Sequence, residues 1–126
     1  MASPLLALQE YGQSIWYDNI RRGLITSGEL QDLVDNGGVL GVTSNPAIFE
    51  KALAGSADYD PAIKALVTQG VGDAKDIYEA LAVEDIQLAA DVLNPVYQRT
   101  EARDGYLSLE VSPYLAQDTE GTIEEA

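Results

Sequence analysis

The chain of 126 residues contains no cysteine and no histidine, and it carries only seven Lys and Arg against 21 Asp and Glu. The first absence excludes disulfides and thiolate chemistry, and the second removes imidazole as base, nucleophile or metal ligand. The shortage of cations leaves a formal net charge of −14. That argues against nucleic acid as a partner, because such binding rests on Lys and Arg neutralising phosphates. Anionic membrane surfaces are set aside on the same ground. Small phosphorylated molecules are not, since a few local donors read them and the global field does not. No apolar run is long enough for a membrane span, and "MASPLLALQEYG" lacks the basic n-region of a signal peptide. The expected compartment is the cytoplasm. Neither a phosphate-binding glycine loop nor metal-ligand spacing is present, so no metal is expected. Chemistry has to run on Asp, Glu, Lys, Tyr, Ser or Thr.

What is present fits a globular chain, with 46% hydrophobic residues to build a core. Residues 4 to 11 read as a short helix, and "SIWYD", 14 to 18, as a first strand ending on an acid. Thr26 to Glu29 fits a capping box with Thr26 at the N-cap, followed by the helical stripe Leu30, Leu33 and Val34. Asn36-Gly37-Gly38 stops that helix. Val39 to Val42 is the second strand, where Gly41 suggests close backbone packing. Pro46 opens a helix to about Gly55 with Ile48, Phe49 and Leu53 on its buried side, and Asp60-Pro61 opens another. From about Asp73 to Tyr97 the pattern is helical in two pieces, Ile77, Tyr78 and Leu81 followed by Ile86, Ala89, Ala90 and Leu93, with Asn94-Pro95 expected to kink or restart the second. "YLSLEV", 106 to 111, alternates as a third strand, and Asp118-Thr119-Glu120 opens a last helix that ends without a C-cap signal.

This alternation is that of βα units around a parallel sheet. A (β/α)₈ barrel takes about 250 residues, roughly twice this length. In such folds the carboxyl ends of the strands line the site. That rule selects Asp18-Asn19, Thr43-Ser44-Asn45 and Glu110-Val111-Ser112. Each has an ordinary alternative: Asp18 can satisfy backbone at the start of a loop, Ser44 or Asn45 can cap the helix at Pro46, and Glu110 can face solvent. Their recurrence on three consecutive strand ends favours one shared rim. Two carboxylates and a hydroxyl and amide trio on such a rim can exchange protons with a polyol or carbonyl substrate. Lys51, Lys64 and Lys75 lie on helices near Glu50, Asp60 and Asp76 and read as solvated charges, not as nucleophiles.

"SIWYDNIRRGLITSGELQDLV", "GVTSNPAIFEKALAGSADYD", "IYEALAVEDIQLAAD" and "GYLSLEVSPYLAQDTEGTIEEA" together resemble the N-terminal part of transaldolases. The resemblance is to the type found as a separate bacterial enzyme and as one half of fusions with glucose-6-phosphate isomerase. It implies the N-terminal half of a (β/α)₈ TIM barrel, about three βα units with extra helices, with residues 1–126 a partial barrel domain truncated at its C-terminus. The implied activity is a cytoplasmic step of the pentose phosphate pathway, without metal or organic cofactor. A dihydroxyacetone unit passes through a Schiff base from sedoheptulose 7-phosphate to glyceraldehyde 3-phosphate. The resemblance gives Asp18 proton transfer at a substrate hydroxyl and Asn45 hydrogen bonds to substrate hydroxyls, with Thr43 beside it. Glu110 holds the water that shuttles protons. Ser44 is then free to cap the helix while Asn45 points inward. The family's Schiff-base lysine ends a fourth strand, and its phosphate-binding Arg and Ser lie further on. A chain without them is expected to be inactive alone. Two other readings stay open: an aldolase that releases dihydroxyacetone, and a non-catalytic half-barrel binding or assembly module that forms a homodimer to cover its edges.

Overall fold

The structure, a computed structural model, describes residues 3–126. Helix α1 (Pro4–Ala7) runs into a 3₁₀ turn (Leu8–Tyr11) and leads to strand β1 (Ile15–Asp18). Helices α2 (Arg22–Thr26) and α3 (Glu29–Asp35) connect it to β2 (Val39–Thr43). Then come α4 (Pro46–Ala54), α5 (Asp60–Thr68) and the long α6 (Ala74–Arg99). A 3₁₀ turn (Pro113–Leu115) and α7 (Thr119–Glu125) complete the described chain.

β1 and β2 pair in parallel, with Ile15 opposite Val39 and Asp18 opposite Thr43. Val39 to Val42 are all buried, as expected of a parallel strand covered on both faces. Gly41 is required here: a Cβ at this position would lie 2.4 Å from the ring carbons of Trp16. Gly41→Ala is therefore expected to destabilise the protein by about 1–3 kcal/mol through overpacking. Urea unfolding of the variant checks this, and an unchanged midpoint would contradict it.

The expected third strand is reduced to a single bridge. Leu107 pairs in parallel with Val42, supported by hydrogen bonds from Gly105 N to Leu40 O at 2.8 Å, from Val42 N to Tyr106 O at 3.0 Å and from Ser108 N to Val42 O at 3.0 Å. Residues 105–108 thus run along the other edge of β2. At Ser108 the ladder gives way to side-chain bonds with Ser44, and 109–111 lie outside regular structure although their alternation is strand-like. The result is an α/β fold with two parallel strands and many helices, consistent with part of a barrel of the TIM type.

One core unites these layers. Ile20 and Leu24 pack with Leu30 and Val34 of α3, with Val42 of β2, with Phe49 of α4 and with Ala82, Ala89, Leu93 and Val96 of α6. The last four fall on one face of α6. That continuity explains why α6 is one helix of 26 residues with Pro95 inside it, where the sequence suggests a kink or restart. Pro95 removes one backbone bond, but Leu93 and Val96 are both buried and hold the helix together across it.

The capping box is also replaced. Thr26 belongs to α2, where its hydroxyl donates to Arg22 O at 3.1 Å. Gly28, at φ +85°, precedes α3, and this left-handed backbone is incompatible with the extended cap that the box requires. Glu29 instead accepts from Arg21 Nη2 at 3.1 Å.

Candidate active site

The ends of β1 and β2 meet through their side chains. Asp18 and Thr43 are register partners, and Thr43 Oγ1 donates to Asp18 Oδ1 at 2.7 Å. Parallel pairing places these two termini side by side, so the bond follows from register. It orients an exposed carboxylate and leaves its second oxygen open.

After Thr43 the chain stays extended, and successive side chains point to opposite sides. Ser44 turns inward and is 2% exposed. Its hydroxyl donates to Ser108 O at 2.6 Å, and its N–H donates to Ser108 Oγ at 2.8 Å. Asn45 is the residue that caps α4, with Oδ1 accepting from Ile48 N at 2.9 Å. This reverses the expected division of labour. Ser108 supplies Ser44 with partners inside, leaving Asn45 to serve the helix. A hydrogen bond from Asn45 to a ligand then falls to its Nδ2 donor.

Glu110 is exposed and shares an open cleft of about 540 Å³ with Asn45, Pro46, Ala47, Glu50 and Pro113. The four residues singled out in the sequence therefore fall into two pairs, Asp18 with Thr43 and Asn45 with Glu110, joined by the short run from 43 to 45. Among the described residues no cation lines this cleft. Its amide donor and two carboxylates suit hydroxyl groups and repel a phosphate. Burial, and then the charges of Glu79 and Glu110, push the pKa of Tyr78 up; its ring packs edge-on against Phe49 with centroids 6.1 Å apart.

A second polar cluster escapes the sequence reading. Asp85 of α6 is 0% exposed; its Oδ1 accepts from Arg22 Nε at 2.8 Å and its Oδ2 from the Tyr59 hydroxyl at 2.7 Å. The same hydroxyl accepts from Arg22 N at 2.9 Å, and the guanidinium stacks 4.9 Å from the centre of the Tyr59 ring. The signal was available: Asp85 interrupts the buried positions Leu81, Ala82 and Ala89 of one helical face, where an acid needs partners. Burial alone would lower the pKa of Arg22, but its bonds and charge pairing with Asp85 and Glu84 raise it. Burial and the bond to Asp85 push the Tyr59 hydroxyl above its ordinary value of 10.0, against a smaller opposing effect of Arg22 N.

A raised folded-state pKa of this kind contributes stability that is complete below about pH 10 and lost as pH rises through the raised value. Unfolding in urea at pH 9 and pH 11 should thus show a larger alkaline loss for the native sequence than for Tyr59→Phe. Equal losses would contradict this role of Tyr59.

Lys51 and Lys64 are exposed. Lys75 is exposed too and pairs with Glu79 at 3.0 Å and Glu125 at 2.8 Å, partners different from the expected Asp76. Its bonds to Glu125 and Glu79 raise its pKa, the opposite of what activates an amine nucleophile. Glu125 also accepts from Ser112 N at 2.5 Å, fastening α7 to the turn that follows Glu110. Among the described residues no group of acids is placed to hold a metal ion, and no helix is long and apolar enough to cross a membrane.

Comparison of the sequence with known proteins places the chain among transaldolases and related aldolases. The model of the family described as transaldolase/fructose-6-phosphate aldolase matches residues 15–126. Transaldolase 2 of Nostoc punctiforme is 56% identical over 122 residues, covering 97% of this chain and 32% of that protein. The transaldolase of Trichodesmium erythraeum is 50% identical over 125 residues, covering 97% of this chain and 32% of its own length. The transaldolase of Thermobifida fusca is 46% identical over 126 residues, covering 100% and 34%. The chain spans about a third of the length of the curated relatives it matches. By the extent of these matches, it belongs to the transaldolase/fructose-6-phosphate aldolase family.

Proposed function

We propose that this chain supplies two strand ends, and the segment that follows the bridge at Leu107, to a transaldolase active site that moves a dihydroxyacetone unit between sugar phosphates. The donor is a ketose phosphate such as sedoheptulose 7-phosphate and the acceptor an aldose phosphate such as glyceraldehyde 3-phosphate, in the cytoplasmic pentose phosphate pathway. The observation that carries the reading is the Thr43–Asp18 hydrogen bond across adjacent strand ends, in a chain of this family. The bond fixes one carboxylate oxygen, and the open one takes the proton of the substrate hydroxyl as the carbon–carbon bond breaks. Asn45 Nδ2 holds a substrate hydroxyl, and Glu110 holds the water that carries protons as the Schiff base forms and hydrolyses. The acidic cleft suits the hydroxylated part of the ligand, while its phosphate is bound elsewhere in the enzyme.

The Schiff-base amine is not among Lys51, Lys64 and Lys75, of which two are exposed on helices and the third is held by two carboxylates. The reaction then needs the remaining part of the enzyme, and the 126-residue chain does not turn over alone. Incubation of this chain with fructose 6-phosphate and borohydride should leave its mass unchanged. A stable adduct of one dihydroxyacetone unit would overturn the assignment of the three lysines. The family description includes aldolases, which would release free dihydroxyacetone; the relatives named above are transaldolases, and this favours transfer.

A further inference from the structure

The carboxylate of Asp18 sits at the start of a short connection, and that connection is held from behind. Asn19, Ile20 and Arg21 separate Asp18 from Arg22, and Ile20 is fully buried. Arg22 is gripped twice. Its backbone N–H donates to the Tyr59 hydroxyl at 2.9 Å, and its side-chain Nε donates to Asp85 Oδ1 at 2.8 Å. Tyr59 and Asp85 are in turn joined to each other at 2.7 Å, so both carboxylate oxygens of Asp85 are engaged. The three groups close a ring of hydrogen bonds in which main chain and side chain of one residue are fixed by the same partners.

Such a ring is more than a surface ion pair. Asp85 is 0% exposed and Tyr59 1% exposed, so neither has water as an alternative partner, and an unmade bond there is costly. The ring also spans the fold: Tyr59 immediately precedes α5, Asp85 lies in the middle of α6, and Arg22 opens α2. The outer helices thereby set where the chain leaves β1. At its other end the connection is set by the Thr43–Asp18 bond at 2.7 Å. With both ends fixed, the open oxygen of Asp18 has a defined direction.

We propose that Tyr59 and Asp85 are positioning residues for Asp18, acting through Arg22. The inference rests on the reading of Asp18 as the group that takes the substrate proton. Proton transfer depends on sub-ångström placement of donor and acceptor, whereas binding of a many-contact substrate does not hang on one carboxylate. Loosening the ring should consequently slow turnover while leaving substrate binding nearly intact.

A double-mutant cycle in the full-length enzyme carrying this sequence tests the inference, with fructose 6-phosphate as donor and glyceraldehyde 3-phosphate as acceptor. Tyr59→Phe should lower kcat about tenfold with KM for the donor changed less than about twofold. In an Asp18→Asn background, the same change should have almost no further effect on kcat, because there is no longer a carboxylate to place. Additive losses would assign the ring to general stability and overturn the inference. If Asp18→Asn alone leaves kcat unchanged, it is the proton-transfer reading that fails. Arg22→Lys keeps the charge and loses the fixed fork. It provides the same cycle should Tyr59→Phe not fold, and additivity with Asp18→Asn would again overturn the inference.

Discussion

Glu110→Gln in the full-length enzyme is expected to lower kcat by about 10²-fold or more, the scale of a lost acid–base group, while KM for the sugar phosphate stays within a few-fold. Glutamine preserves the shape of the side chain and can still hydrogen-bond a water molecule, but it does not take up a proton. The residue is exposed in an open cleft beside Asn45 and Glu50, so no packing is lost with the change. Binding and chemistry are therefore separable at this position. Steady-state kinetics decide: a change confined to KM would show Glu110 to be a binding group and remove it from proton shuttling.

The largest expected effect on stability lies in the buried ring. Asp85→Ala should cost about 3–5 kcal/mol, because it leaves Arg22 Nε and the Tyr59 hydroxyl without their acceptor, although Glu84 still accepts from Arg22 Nη2 at 2.7 Å. Replacing the ring as a whole, with Asp85→Leu, Arg22→Met and Tyr59→Phe combined, should cost far less, since the charges and the unmet hydrogen bonds disappear together. Urea unfolding of the two variants provides the comparison. A single variant as stable as the combined one would mean that the ring adds little to the fold.

The parts of the fold that were legible in the sequence are those decided by neighbours along the chain. β1 and β2 show in runs of aromatic and β-branched residues, and Asp118 caps α7 through Gly121 N at 2.9 Å, as its position before Thr119 suggests. Gly41 reads as a close approach and meets Trp16. The parts that were missed are decided at long range. Ser44 and Asn45 are both competent caps, and the choice between them is made by Ser108, 64 residues away from Ser44. The alternation of "YLSLEV" is necessary for a strand but does not supply a partner, and pairing with β2 ends at Ser108. Pro95 is tolerated because of what α6 packs on, which no local rule contains. Asp85 is satisfied by residues 63 and 26 positions upstream. Its place on an apolar face announces a need for partners without naming them.

The order of the sheet also bears on how the chain is made. β1, β2 and the segment at Leu107 lie side by side in the same order as in the sequence, so no strand has to be inserted between two already paired. The sheet can therefore extend by accretion as residues leave the ribosome, at about 5–20 per second. Asp85 reaches Arg22 and Tyr59 from downstream of both. All three members of the ring precede Glu110 in the chain, so holding the end of β1 requires no residue beyond Asp85.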